Sequence, residues 1–197
     1  MIRRLPLIPT VIVAAAVAVM IALGFWQIGR AHEKEALLAR YKAAQALPPI
    51  SFPTGPVHSD QLPLFRFATG LCLRPVAQRS SAGQNRAGEP GYVLIVDCTT
   101  GAEGPGMSVE LGWTKNPNAA VNWTGGPVSG VIAPDRKSRM RLVAATAPPG
   151  LEPSAPPSIS DIPNNHRAYA VQWFLFALIA LTIYVLALRK RLKDEPA

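Results

Sequence analysis

Two uncharged apolar stretches, one near each end, constrain this chain more than any other feature. Neither residues 11–29 nor residues 168–188 include a charged side chain. At 1.5 Å per helical residue they measure about 28 and about 31 Å, close to the ~30 Å hydrocarbon core of a bilayer. A backbone cannot cross lipid with its amides unpaired, so both stretches are expected as helices. The expected fold is an α+β membrane protein, with N- and C-terminal transmembrane helices flanking a small antiparallel β-rich periplasmic domain.

Composition sets the boundaries. Residues 1–10 form a cytoplasmic N-terminus, 11–29 the first span and 30–47 a helical extension ended by Pro48 and Pro49. Residues 48–146 form the β-rich domain, 147–165 a Pro-rich tether, 166–188 the second span and 189–197 a basic cytoplasmic tail. Arg3 and Arg4 resemble the basic start of a signal peptide. The exit of the first span, Gly24-Phe25-Trp26-Gln27-Ile28-Gly29-Arg30, has no small-x-small cleavage site, so the span reads as a retained anchor. With no room for an organellar transit peptide ahead of it, a bacterial inner membrane is the expected location.

Orientation rests on the tail. Arg189, Lys190, Arg191 and Lys193 outweigh Arg167 on the other flank, which puts the C-terminus in the cytoplasm. Arg30, Lys34, Arg40 and Lys42 argue the reverse for the first span, but long intervening domains translocate largely regardless of charge. The net charge is +8. Its basic residues are scattered rather than gathered in a stripe with aromatics, so a nucleic-acid partner is excluded.

The middle of the chain reads as five strands: 66–76, 91–98, 107–114, 128–133 and 140–145. Residues 78–90 are polar and read as a loop. Cys72 and Cys98 fall in neighbouring strand segments, and a hairpin about that loop would bring them together. A disulfide, two buried thiols and a metal-binding pair are the three readings. No histidine stands beside a convincing serine or aspartate partner, and the carboxylates Asp97, Glu103 and Glu110 occupy different contexts, so an enzyme is not expected.

Of three histidines, His32 reads as an interfacial residue and His58 as a surface one. His166 differs by position: Asn164 or Asn165 can cap the second span, which leaves this imidazole in its first turn. Tyr169, Ala170 and Trp173 follow at helical spacing on the same face. The residues alone leave two readings open. One is an aromatic belt at the bilayer surface. The other is an axial ligand for haem iron, with Tyr169 and Trp173 flanking the macrocycle.

Leu23-Gly24-Phe25-Trp26-Gln27-Ile28-Gly29-Arg30, followed by Lys34 and Leu37, resembles the first-helix exit of the Surf1 (Shy1) family of cytochrome c oxidase assembly proteins. Gly91-Tyr92, Gly112-Trp113 and Asn164-Asn165-His166 with Tyr169 and Trp173 resemble later landmarks of that family, in the same order. The chain departs from the family pattern at Leu111, at Thr114-Lys115 and at Arg167-Ala168. The resemblance implies an assembly factor that binds haem a transiently and aids its insertion into oxidase subunit I. It implies His166 as the iron ligand, with Tyr169 and Trp173 around the ring. Implied partners are subunit I and membrane lipid, with haem a synthase as a second protein candidate. The alternatives are a cofactor-free scaffold for oxidase subunits and, behind it, a membrane-tethered periplasmic enzyme.

Overall fold

The computed structural model describes residues 6–101 and 105–194. Arg3, Arg4, Glu103 and the last three residues of the basic tail lie outside the described residues. The chain divides into a helical unit, comprising the segments up to Leu37 and from Pro163 on, and a β unit, Leu38–Ile162.

The helical unit holds α2 (His166–Asp194) and α1 (Leu7–Ala44) as far as Leu37; residues 38–44 of α1 count with the β unit. Both are long and apolar enough to cross a membrane. Their apolar side chains stay uncovered: Ile8 is 76% and Val11 65% exposed on α1, and Ile183 is 62% exposed on α2. Surfaces of that kind are stable only against lipid or a partner. At about 57 Å, α1 is longer than the bilayer core is thick, and its charged residues begin at Arg30, past the apolar stretch. The two helices touch closely because of Gly24, where a Cβ would lie 2.6 Å from the Phe174 ring. Phe25 meets the same ring edge-on at 5.4 Å between centroids. Further along, Thr10 Oγ1 donates to the Pro6 carbonyl and accepts from the Tyr184 hydroxyl.

Among the described residues the β unit holds one seven-stranded sheet. Its strands are β1 (Ile50–Ser51), β2 (Phe67–Cys72), β3 (Arg74–Gln84), β4 (Pro90–Thr99), β5 (Pro105–Thr114), β6 (Gly126–Asp135) and β7 (Arg139–Ala144). Their spatial order is β1-β2-β6-β7-β5-β4-β3. Most pairings are antiparallel, as expected, but β1–β2 and β5–β7 are parallel, so the sheet is mixed. The expected loop at 78–90 is instead largely β3, paired along its length with β4. That strand lies at one end of the strand order and is mostly exposed, so it lacks the apolar alternation that would have marked it. The true turn is short. Asn85 Oδ1 accepts from the Ala87 and Glu89 amides at 3.0 Å each, and Gly88 takes a positive φ of 81°.

Strands β2 and β3 stand far apart in the sheet order yet are joined through Leu73 alone, so the sheet must curl until its margins meet. Leu73 N–H donates to Thr99 O across that junction. Cys72 and Cys98 are bonded there, with Cα atoms 5.2 Å apart. They do not face each other across a hairpin, since β2 pairs with β6, not with β4. The bond removes the free-thiol and metal-pair readings.

One face of the sheet holds the main core, with Phe65, Val109, Ile132, Leu142 and both cysteines. The other face carries a smaller cluster of Val93, Ile95 and Trp113. Residues 147–165 were expected to form an extended tether. Only part of the segment is extended: a 3-10 turn interrupts it at Ile159–Asp161, and an earlier part lies along the sheet, where Trp113 and Glu152 exchange backbone hydrogen bonds and Ala155 N–H donates to Gln84 O.

Candidate functional site

α2 begins where the polar run Asn164-Asn165 gives way to apolar sequence. The Asn165 carbonyl accepts the Tyr169 amide at 3.1 Å, which closes the first turn. Asn164 Oδ1 is buried and has no hydrogen-bond partner among the described residues. His166 is therefore the first helical residue and is half-buried. Its Nδ1 lies 2.8 Å from Oε1 of Gln27, 139 residues earlier on α1. Beside it, Arg167 holds Glu35 with two hydrogen bonds, Nε to Oε1 at 2.8 Å and Nη2 to Oε2 at 3.0 Å. Two small residues, Ala31 and Ala170, are buried in this part of the helix pair at 1% and 4% exposure.

The remaining residues singled out on the helices sort clearly. Tyr169 is 49% exposed on the face that carries His166. Trp173, one turn further, is half-buried and meets Phe176 edge-on at 6.1 Å. Trp26 is 56% exposed, and Arg30 pairs with Glu33 on its own helix. His32 is exposed and lines an apolar groove of about 330 Å³ with Ala31, Ala170 and Phe174. The structure thus joins Gln27 to His166, a contact that the sequence reading missed. The available signal was Gln27 itself, the only polar side chain within residues 11–29. Polar groups in a membrane helix usually find a partner on another helix.

The residues marked on the β unit are structural. A Cβ on Gly91 would fall 2.6 Å from Nε1 of Trp113, so the two landmarks form one packing feature. Trp113 is 2% exposed, and its Nε1 has no hydrogen-bond partner among the described residues. A Cβ on Gly112 would meet the Glu152 carbonyl at 2.6 Å, which explains the glycine where the 147–155 segment docks. Tyr92 is partly exposed on β4.

A second polar cluster borders a cavity of about 450 Å³ in the β unit. Ser108 Oγ donates to Asp97 Oδ1 at 2.7 Å, Lys137 Nζ to Asp97 Oδ2 at 2.9 Å, and Ser138 Oγ to Ser108 Oγ at 2.6 Å. Burial alone would raise the Asp97 carboxyl; the Ser108 hydroxyl and the Lys137 ammonium outweigh it and hold the group below the usual carboxylate range. Asp135 behaves likewise. Burial opposes ionisation, but the Ser138 amide, the Arg79 guanidinium and the Lys137 amide prevail. Arg141 links Asp135 to Glu110. Asp97 and Asp135 thus tie Ser108, Lys137, Ser138 and Arg79 around the β6–β7 turn, while the buried Nε of Arg79 has no hydrogen-bond partner among the described residues.

Comparison with known proteins covers nearly the whole chain. Residues 14–178 match the family model described as SURF1 family. The chain is similar to a SURF1-like protein of Rickettsia felis, 25% identical across 89% of this chain and 94% of the relative. It is similar also to a SURF1-like protein of Rickettsia conorii, 25% identical across 87% and 88% respectively.

Proposed function

The chain belongs to the SURF1 family, whose members serve cytochrome oxidase assembly, and from that premise we propose that it binds haem a transiently and aids its insertion into oxidase subunit I. The observation that carries this reading is the state of His166. It sits at the first turn of a membrane helix, half-buried, with Nδ1 engaged by Gln27 and Nε2 making no hydrogen bond among the described residues. One imidazole nitrogen held and the other free is the donor arrangement that haem iron takes.

His166 would hold the iron, and Tyr169 and Trp173 supply flat rings on the same helix face. When bound, haem a supplies the redox and oxygen-reducing chemistry of the oxidase, none of which this chain needs to perform. A single protein ligand grips weakly enough to be out-competed, which suits transfer better than storage. The proposed partners are subunit I and membrane lipid, with haem a synthase as a second protein partner. The Cys72–Cys98 bond supports an oxidising compartment for the β unit, hence a periplasmic domain on a bacterial inner membrane.

The test is an absorption titration of detergent-purified protein with haem, repeated on His166→Ala. The proposal expects a Soret band for the wild type that the substitution weakens at equal helix content. A colourless wild-type protein would leave a cofactor-free scaffold as the function.

A further inference from the structure

We infer that Gln27 is a positioning residue that sets the tautomer of His166 and so determines which of its nitrogens can bind a metal. The relevance to haem rests on the function proposed above; the tautomer itself does not.

The argument starts from the imidazole. A neutral histidine carries one ring proton, and only the other nitrogen has a lone pair for a metal. Left without a partner, the ring favours the proton on Nε2. The bare nitrogen is then Nδ1, which lies next to the Cβ branch and is crowded against a flat macrocycle. A carbonyl acceptor on Nδ1 reverses that preference. Gln27 supplies one: its Oε1 lies 2.8 Å from Nδ1, so Nδ1–H donates and Nε2 keeps its lone pair. Such partners typically contribute 10–100-fold to metal affinity.

The location makes the arrangement firm. Gln27 and His166 are both half-buried and come from different helices. Those helices are also packed at Gly24–Phe174 and pinned by Arg167–Glu35. The acceptor is a neutral amide, not a carboxylate. It therefore fixes the tautomer without pushing the ring toward imidazolate, and keeps the nitrogen a moderate donor. A carrier that must release its cargo needs that moderation.

A merely structural role would be hydrogen-bond glue between helices, indifferent to which nitrogen holds the proton. The two roles separate in the full-length, ligand-free protein, labelled with ¹⁵N-histidine in detergent at alkaline pH. His166→Ala identifies the resonances. The wild type is expected to show a protonated Nδ1 and a bare Nε2. Gln27→Leu is expected to shift the proton to Nε2 and to lower haem b affinity 10–100-fold. Gln27→Glu replaces the amide oxygen with a carboxylate acceptor and is expected to keep the proton on Nδ1 and to bind haem b at least as tightly as the wild type. A wild-type ring protonated on Nε2, or a Gln27→Leu protein with unchanged tautomer, overturns the inference. If His166→Ala binds haem as tightly as wild type, the haem reading fails, while the tautomer result still decides what Gln27 does.

Discussion

Removing the Cys72–Cys98 bond should open the sheet at its margins, and the size of the effect can be worked out in advance. The bond closes a loop with a sequence separation of 26 residues. The chain-entropy treatment gives about 3.5 kcal/mol for a loop of that length. Both residues are buried, at 1% and 0% exposure within the main core, so Cys72→Ala/Cys98→Ala also removes two packed sulfurs. That adds roughly 1 kcal/mol. For a unit of ~125 residues, each kcal/mol moves Tm by roughly 3–6 °C, so the expected fall is about 14–27 °C. The assay is a near-ultraviolet circular dichroism melt of the full-length protein in detergent. Peptide mapping without reductant confirms the bond in the wild type. Far-ultraviolet helix signal should change little, since the disulfide lies outside the helical unit. A Tm shift below about 3 °C, with the bond confirmed in the wild type, would refute the idea that it clamps the sheet margins.

Further outcomes follow from the β unit. Asp135→Asn removes an anion that accepts from Arg79 and Arg141 and whose side chain is 2% exposed; it should destabilise the protein by about 2–3 kcal/mol in chemical denaturation. Asp97 and Asp135 both have depressed carboxyl pKa values, so their contribution is fully present above the unfolded-state value near pH ~4 and is lost as pH falls through the lower folded values. Acid titration monitored by tryptophan fluorescence should therefore show steep loss of stability below about pH 4 in the wild type and a shallower dependence in Asp135→Asn. Gly91→Ala forces a methyl group onto the Trp113 ring and should cost about 1–3 kcal/mol, read as a lower denaturation midpoint with an unchanged slope.

Much of the architecture was legible because the bilayer imposes a length and a polarity that few other environments share. Residues 11–29 and 168–188 could hardly be read otherwise, and the apolar run at 91–98 marked β4 because that strand is buried over most of its length. β3 was illegible for the opposite reason. Near the margin of the strand order it buries little, so Arg79, Ser80, Ser81 and Gln84 looked like a loop. The cysteine pairing was partly legible: a bond between Cys72 and Cys98 was one of three open readings, and their meeting depends on the curl of the sheet, which no local pattern records. The parallel pairing of β5 with β7 also depends on a long-range register. At the site, His166 stood out by its place ahead of an apolar run. Its partner Gln27 was visible only as an isolated amide in the first span, and nothing in sequence spacing links two residues on separate helices. Gly91 and Trp113 were noticed separately; only the fold shows that one makes room for the other.

The most direct test of the central claim is the visible spectrum of the purified full-length protein titrated with haem, compared with His166→Ala at matched helix content. The account expects a saturable Soret band in the wild type and its loss or marked weakening in the variant. Equal uptake by both proteins, or none by the wild type, would contradict it.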